Sequence, residues 1–234
     1  MNIGVIVPAY NEQENIKSCV SRCRDIHFDT EQCSIRIVVC DNNSDDLTSV
    51  FARAAGAEVA HEPVRGYGAA CIRGIAHLGV WPDIILFCDA DSSPTLEEFQ
   101  AILLPVVSGT AQLSLGARTT VEPGAMSIAQ VLGNKVAVFL IRMIWGRKFI
   151  DLGPLRAIEA KSLERLRMSD FSWGWTIEMQ IQAIYYNLKI VEVPIVWRRR
   201  KYGYSKISGT VSGVIRAGTK ILYTVIRLAL KRQR

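Results

Sequence analysis

The chain has 234 residues, 49% of them hydrophobic, with 28 Lys and Arg against 22 Asp and Glu and a formal net charge of +6. That length can bury one sizeable core with an extension, and no repeat, low-complexity tract or Pro/Gly/Ser-rich linker divides it. MNIGVIVPAYNE lacks the basic leader and apolar stretch of a signal peptide, and Lys135, Arg142, Lys220 and Arg227 interrupt the longest apolar runs. The expectation is therefore a cytoplasmic chain with no spanning helix and only peripheral membrane contact.

In chain order, strands are predicted at 3–7, 35–40, 58–60 and 84–88, with helices at about 14–24, 47–55 and 69–77 between them. This βαβ rhythm predicts a mostly parallel sheet in one α/β domain. A helix near 96–107 and a strand at 112–116 follow, then a region of less regular order that looks like elaboration around a site. Helices are expected again at 128–145 and 211–234. Six cysteines (Cys19, Cys23, Cys33, Cys40, Cys71 and Cys88) lack paired spacing or neighbouring histidines and read as buried free thiols. Cys19 and Cys23 can share a helix face, but two thiols make a poor zinc site.

Each of the first four strands ends in a polar loop: VPAYNE (7–12), CDNNSDD (40–46), RGYGAA (65–70) and DADSS (89–93). Singly, Asn11 or Ser44 could cap a helix and Gly66 and Gly68 could only permit a turn. Together they fall at the carboxyl edge of the predicted sheet, where α/β proteins bind ligands. Asp89 and Asp91, two apart in an extended segment, point the same way. Two such carboxylates repel unless a cation or donors compensate them. Mg²⁺ or Mn²⁺ suits the pair, because such ions take one or two carboxylates and fill other positions with phosphate oxygens. The competing reading is that Asp91 caps the helix after Pro94.

VPAYNE, DNNSDD, DAD, DLGPLRA (151–157), GWTIEMQ (174–180) and RKYGYSK (200–206), in this order and spacing, resemble the family 2 glycosyltransferases of the GT-A fold, within them the dolichyl-phosphate mannose or glucose synthase group. The resemblance implies a GT-A-type, Rossmann-like domain over 1–210 followed by an amphipathic C-terminal helix at 211–234. It places Pro8, Tyr10, Glu12, Asp41, Asn43, Gly66, Asp89 and Asp91 around a nucleoside-diphosphate sugar, with Asp41 on the base and Asp89 and Asp91 on the metal and diphosphate. It implies that Arg118 and Arg156 help hold the acceptor phosphate, that Asp91 and Arg118 are catalytic, and that Glu178 stands where a catalytic base often does, or else binds sugar hydroxyls or the acceptor-site arginines. Asn42 stands where a second Asp is frequent, and Ser92 and Ser93 where mannose synthases often carry Leu and Gln, so the sugar stays open, as does the choice of GDP or UDP.

From 193 to 234 there are eleven Lys or Arg and no Asp or Glu, so a polyanion is expected there. Arg200, Ser205 and Lys206 suit a phosphate monoester by fork, hydroxyl and ammonium. On a helix, Arg216, Lys220, Arg227 and Lys231 share one sector, and Ile221, Leu222, Val225 and Leu228 lie across it. Such a helix could dock on an anionic membrane or merely pack on the core. The expected acceptor is a polyprenyl phosphate at the cytoplasmic face of a membrane. Three alternatives stand beside it: transfer to a soluble phosphorylated acceptor such as a phosphoglycerate; nucleotidyl transfer, for which VPAYNE lacks a Gly-rich basic loop; and nucleic-acid binding, which leaves the DAD pair unexplained and finds no aromatics on a basic strand face.

Overall fold

The computed structural model describes residues 1–28, 32–91, 94–200, 202 and 211–231, with side chains from 218 to 230 in the last segment. Near-continuous aliphatic runs become strands covered on both faces: β1 (Asn2–Ala9), β2 (Ser34–Asp41) and β4 (Ile84–Phe87). Between them lie α1 (Ile16–Arg24), α2 (Thr48–Ala54), the short β3 (Glu58–His61) and α3 (Tyr67–Leu78). The chain continues through α4 (Leu96–Val107), β5 (Leu113–Val121), α5 (Ile128–Trp145), β6 (Arg156–Glu159), α6 (Ala160–Leu166), α7 (Trp175–Tyr185), β7 (Ile190–Trp197) and α8 (Val211–Lys231).

The seven strands form one sheet ordered β3-β2-β1-β4-β6-β5-β7. Only β6 runs against its neighbours; every other pair is parallel. One face carries α1 and α4, whose Ile16, Val20, Phe99 and Leu103 are fully buried. The other carries α3 and α5 to α8, centred on Trp175, which meets Phe87 edge to face at 6.1 Å. This is the mostly parallel α/β architecture the sequence predicts.

Two expectations need correction. The stretch expected to lack regular order contains β6, α6, α7 and β7. β6 is four residues long and opens on a charged Arg156, and β7 contains Pro194, tolerated because β7 is an edge strand. In α8, Val225 and Leu228 do not face outward; both are 1% exposed and pack in the core with Ala137 and Ile141 of α5. The outward residues are Leu222, Tyr223, Ile226 and Leu230. A helical wheel separates the cationic sector of α8 from its apolar side but cannot tell which apolar residues the domain covers. Likewise α5, despite Lys135 and Arg142, has 18 residues of mean hydropathy 1.4, 11% of them buried, and is long and apolar enough to cross a membrane by length and composition.

Candidate active site

Since β1, β2, β3, β4, β5 and β7 run the same way, their carboxyl ends share one edge with the start of β6. The loops gathered there are tied to one another by side chains. Asn11 adopts a left-handed backbone (φ 53°), accepts the Asp45 N–H on its side-chain oxygen at 2.9 Å, and donates its own N–H to Ser44 Oγ at 3.0 Å. Asn43 also lies in that region (φ 62°), one Asn tolerates better than most side chains. Asp41, 6% exposed, accepts the Ser44 N–H at 3.0 Å and the Ser49 hydroxyl. Burial raises its pKa, but these hydrogen bonds outweigh burial and hold the carboxyl below its ordinary value.

Asn42 explains its own departure from the commoner acid. Its amide donates to the Glu62 and Val64 carbonyls at 3.1 and 2.6 Å, and its oxygen accepts the Gly66 N–H at 2.7 Å. A carboxylate could make only the last of these contacts. The same turn brings the Arg65 guanidinium to 3.5 Å from the centre of the Tyr10 ring. Pro8 lies in β1, paired with Cys40 just before Asp41.

The short β4 carries the chain to Asp89 and Asp91. Burial, then the charge of Asp91, pushes the Asp89 carboxyl up to about 7, while Arg200 and Arg118 oppose the rise. Arg200 spans two donor-side acids, with Nη1 2.6 Å from Glu12 Oε1 and Nε 3.4 Å from Asp91 Oδ2. The Glu12 carboxylate also accepts from Asn15 at 2.7 Å, and the Glu12 carbonyl accepts the Asn15 and Ile16 N–H groups at the start of α1. The pair fits a hard divalent cation: two carboxylates, with Asp89 driven toward its neutral form by burial and then by its neighbour's charge. Beneath it lies a feature that spacing alone does not reveal: Cys88 joins Cys19 and Cys23, and the three buried sulfurs lie within 4.8 Å of one another.

Across the edge, Arg118 makes a two-pronged ion pair with Asp151, Nε to Oδ2 at 2.6 Å and Nη2 to Oδ1 at 2.8 Å. Asp151 is a partner the sequence holds in DLGPLRA without revealing its mate. Arg156 is fully buried and donates to the carbonyls of Pro154 and Thr176 at 3.4 and 2.9 Å and to that of Gly153. It fixes the loop that carries Asp151. Glu178, 1% exposed, accepts from Ser169 N and Oγ, Asp170 N and Arg227 at 2.7 to 3.0 Å. Lys220 likewise lies 2.9 Å from Asp170. These two members of the α8 cationic sector thus turn inward, toward acids that a helical wheel cannot see. Ser205 and Lys206, with Ser92 and Ser93, lie outside the described residues.

Residues 4–167 match the family described as Glycosyl transferase family 2. Over 98% of its length the chain is 30% identical to the polyprenol monophosphomannose synthase of Mycolicibacterium smegmatis, covering 89% of that protein. It is 28% identical to the undecaprenyl-phosphate mannosyltransferase of Micrococcus luteus, covering 91% of this chain and 90% of that one. The glucosyl-3-phosphoglycerate synthase of Mycobacterium tuberculosis, solved with Mn²⁺, uridine diphosphate and phosphoglyceric acid, superposes with a TM-score of 0.78 at 20% identity, over 97% of this chain and 78% of that one. With its GT-A architecture and its match across most of the sheet, the chain belongs to the family 2 glycosyltransferases and is a glycosyltransferase of the type that resembles the dolichyl-phosphate sugar synthases.

Proposed function

We propose that the chain transfers a hexose, with inversion, from a GDP- or UDP-linked sugar to a polyprenyl phosphate at a membrane surface. The observation that carries the acceptor half is the apolar surface of α5 and α8. The two helices pack together, and Leu132, Phe139 and Met143 on α5, with Tyr223, Ile226 and Leu230 on α8, are all more than half exposed. Exposed apolar residues along a helix face suit burial at an acyl boundary. Ala137 and Ile141 seat α5 on the domain, which favours lying on the membrane over crossing it. Two relatives named for polyprenol and undecaprenyl phosphate acceptors support this reading. The soluble phosphoglycerate acceptor of the structural neighbour is the second reading; it gives these exposed faces nothing to do.

On the donor side, Asp41 is kept ionised and can accept an N–H from the base, with Pro8, Tyr10, Asn43 and the turn at Gly66 around the nucleotide. Asp89 and Asp91 would hold Mg²⁺ or Mn²⁺, which, when bound, supplies positive charge to the departing nucleoside diphosphate. A phosphate monoester is largely dianionic at neutral pH, so its oxygen needs little help from a base. Arg118 and Arg200 are placed to orient it and offset its charge, and they are the cations that act on Asp89. The acceptor oxygen then bonds to the anomeric carbon as the bond to the diphosphate breaks. Glu178, engaged by four donors, is read as a support for the neighbouring loop and not as the base.

The test is transfer of radiolabel from UDP- and GDP-hexoses to a short polyprenyl phosphate, run beside 3-phosphoglycerate. The proposal expects label in the organic phase. Label found only in phosphoglycerate would replace it with the soluble reading.

A further inference from the structure

We infer that Lys220 and Arg227 of α8 are positioning residues for the donor side, acting through Asp170 and Glu178 on the turn that opens α3. The consequence for nucleotide binding rests on the donor reading above, whereas the strut itself can be tested without it. The strut begins with two buried acids, Asp170 at 2% and Glu178 at 1% exposure. Asp170 Oδ2 meets Lys220 Nζ at 2.9 Å, Thr224 Oγ1 at 3.3 Å and Arg227 Nη2 at 4.0 Å, while Oδ1 accepts Ser172 N and Oγ at 2.9 and 3.2 Å. Glu178 takes Arg227 at 3.0 Å together with Ser169 and the Asp170 N–H. Residues 169, 170 and 172 of the loop are therefore held by carboxylates whose charge is balanced from α8. Removing one partner of a buried pair leaves the other uncompensated, so the loop must move or the carboxylate must take a proton.

The loop in turn supports the donor turn. Its Phe171 carbonyl accepts the Ala69 N–H at 2.9 Å, and its Ser172 carbonyl the Gly68 N–H at 3.3 Å. These are among the first-turn N–H groups of α3, which the helix cannot satisfy itself. The approach is close enough to explain three glycines. A Cβ on Gly66 would overlap the Phe171 carbonyl oxygen, one on Gly68 that of Asp170, and one on Gly174 the Asp170 carboxylate and Thr224 hydroxyl. From Gly66 the connection passes by its N–H to Asn42, the residue after Asp41. One hydrogen-bonded path thus joins the helix proposed to lie on the membrane to the turn proposed to face the nucleotide.

Hydrogen exchange on the full chain reads the strut directly, with Lys220→Met, Asp170→Asn, their double variant, Lys220→Arg, and Lys161→Met on the exposed surface of α6 as control. Exchange at Gly68 and Ala69 should quicken about tenfold or more in each single variant, the scale of one lost charge-assisted contact. The double variant should exceed neither single by much, Lys220→Arg should recover protection, and Lys161→Met should match the parent. Affinity for UDP or GDP with Mn²⁺ should weaken in step with the lost protection. Unchanged exchange at 66–70 in Lys220→Met overturns the inference. So does uniformly faster exchange across β1 and β4 in both Lys220→Met and the milder Lys220→Gln, which would make these general stability contacts. If the parent binds neither nucleotide while the turn still loosens, the donor reading fails and the strut stands.

Discussion

Two pairs of acids in this molecule are built in opposite ways. Asp170 and Glu178, between α7 and α8, are surrounded by hydroxyls, N–H groups and two cations; burial raises the Asp170 pKa, but Lys220 and Ser172 outweigh it and hold that carboxyl below its ordinary value. Asp89 and Asp91, at the end of β4, repel one another, and Asp89 is driven up to about 7 even with Arg118 and Arg200 in range. The first pair is complete within the protein. Among the described residues, the second sets like charges side by side at the ligand edge of the sheet, an arrangement expected where a cation arrives with substrate.

The contrast should break most sharply at Asp91. Asp91→Ala should lower kcat/KM by about a thousandfold, the scale of losing a preorganised electrostatic stabiliser, with little loss of Tm. Asp170→Asn should cost far less, chiefly as weaker nucleotide binding from the loosened turn at 66–70; near-equal rate losses in the two variants would erase the distinction. Next in size is a pH effect. The Asp89 pKa is raised in the fold, so its contribution to stability of the metal-free protein is full below about pH 4 and is lost as pH rises through about 7. Binding of Mn²⁺ requires the anion, so apparent affinity should climb about tenfold per unit well below pH 7, about fiftyfold in all from pH 5 to 7, then level off. Calorimetry at several pH values would read this slope, and Asp89→Asn should abolish it.

Arg200 sharpens the donor side of the comparison. Because it spans Glu12 and Asp91, Arg200→Met should weaken both substrates by about ten- to a hundredfold, from about 1.5 to 3 kcal/mol of charge-assisted contact. KM values moving for the acceptor alone would confine Arg200 to the acceptor phosphate and remove it from the donor side. The smallest effect concerns the outward face of α5. Phe139→Ser should reduce partition to anionic vesicles by about tenfold, the scale of losing one buried aromatic side chain. Flotation should respond less to Lys220→Met, since that cation faces Asp170.

Legibility in the sequence followed the range of the interactions. The strand-end loops were readable because strand, loop and helix are local patterns, and VPAYNE, DNNS and DAD each carry their chemistry within a few residues. The capping box that starts α4, Thr95 with Glu98, is equally local; that the same Glu98 accepts the Val196 N–H of β7 and pairs with Arg198 just past that strand is not. β6 was hidden because its Arg156 spends its donors on backbone carbonyls, a role no spacing predicts. Of the cationic sector of α8, Lys220 and Arg227 turn toward the same pair of acids. Their partners lie about fifty residues earlier in the chain, so their direction depended on tertiary structure.

Anomalous diffraction from crystals grown with Mn²⁺ and either UDP or GDP tests the central contrast most directly. The account predicts a manganese peak within coordinating distance of the Asp89 or Asp91 carboxylates, with the nucleotide at the loops that follow β1 to β4, and no manganese at Asp170 and Glu178. A peak at the α8 pair, or bound nucleotide with no metal beside Asp89 and Asp91, would contradict it.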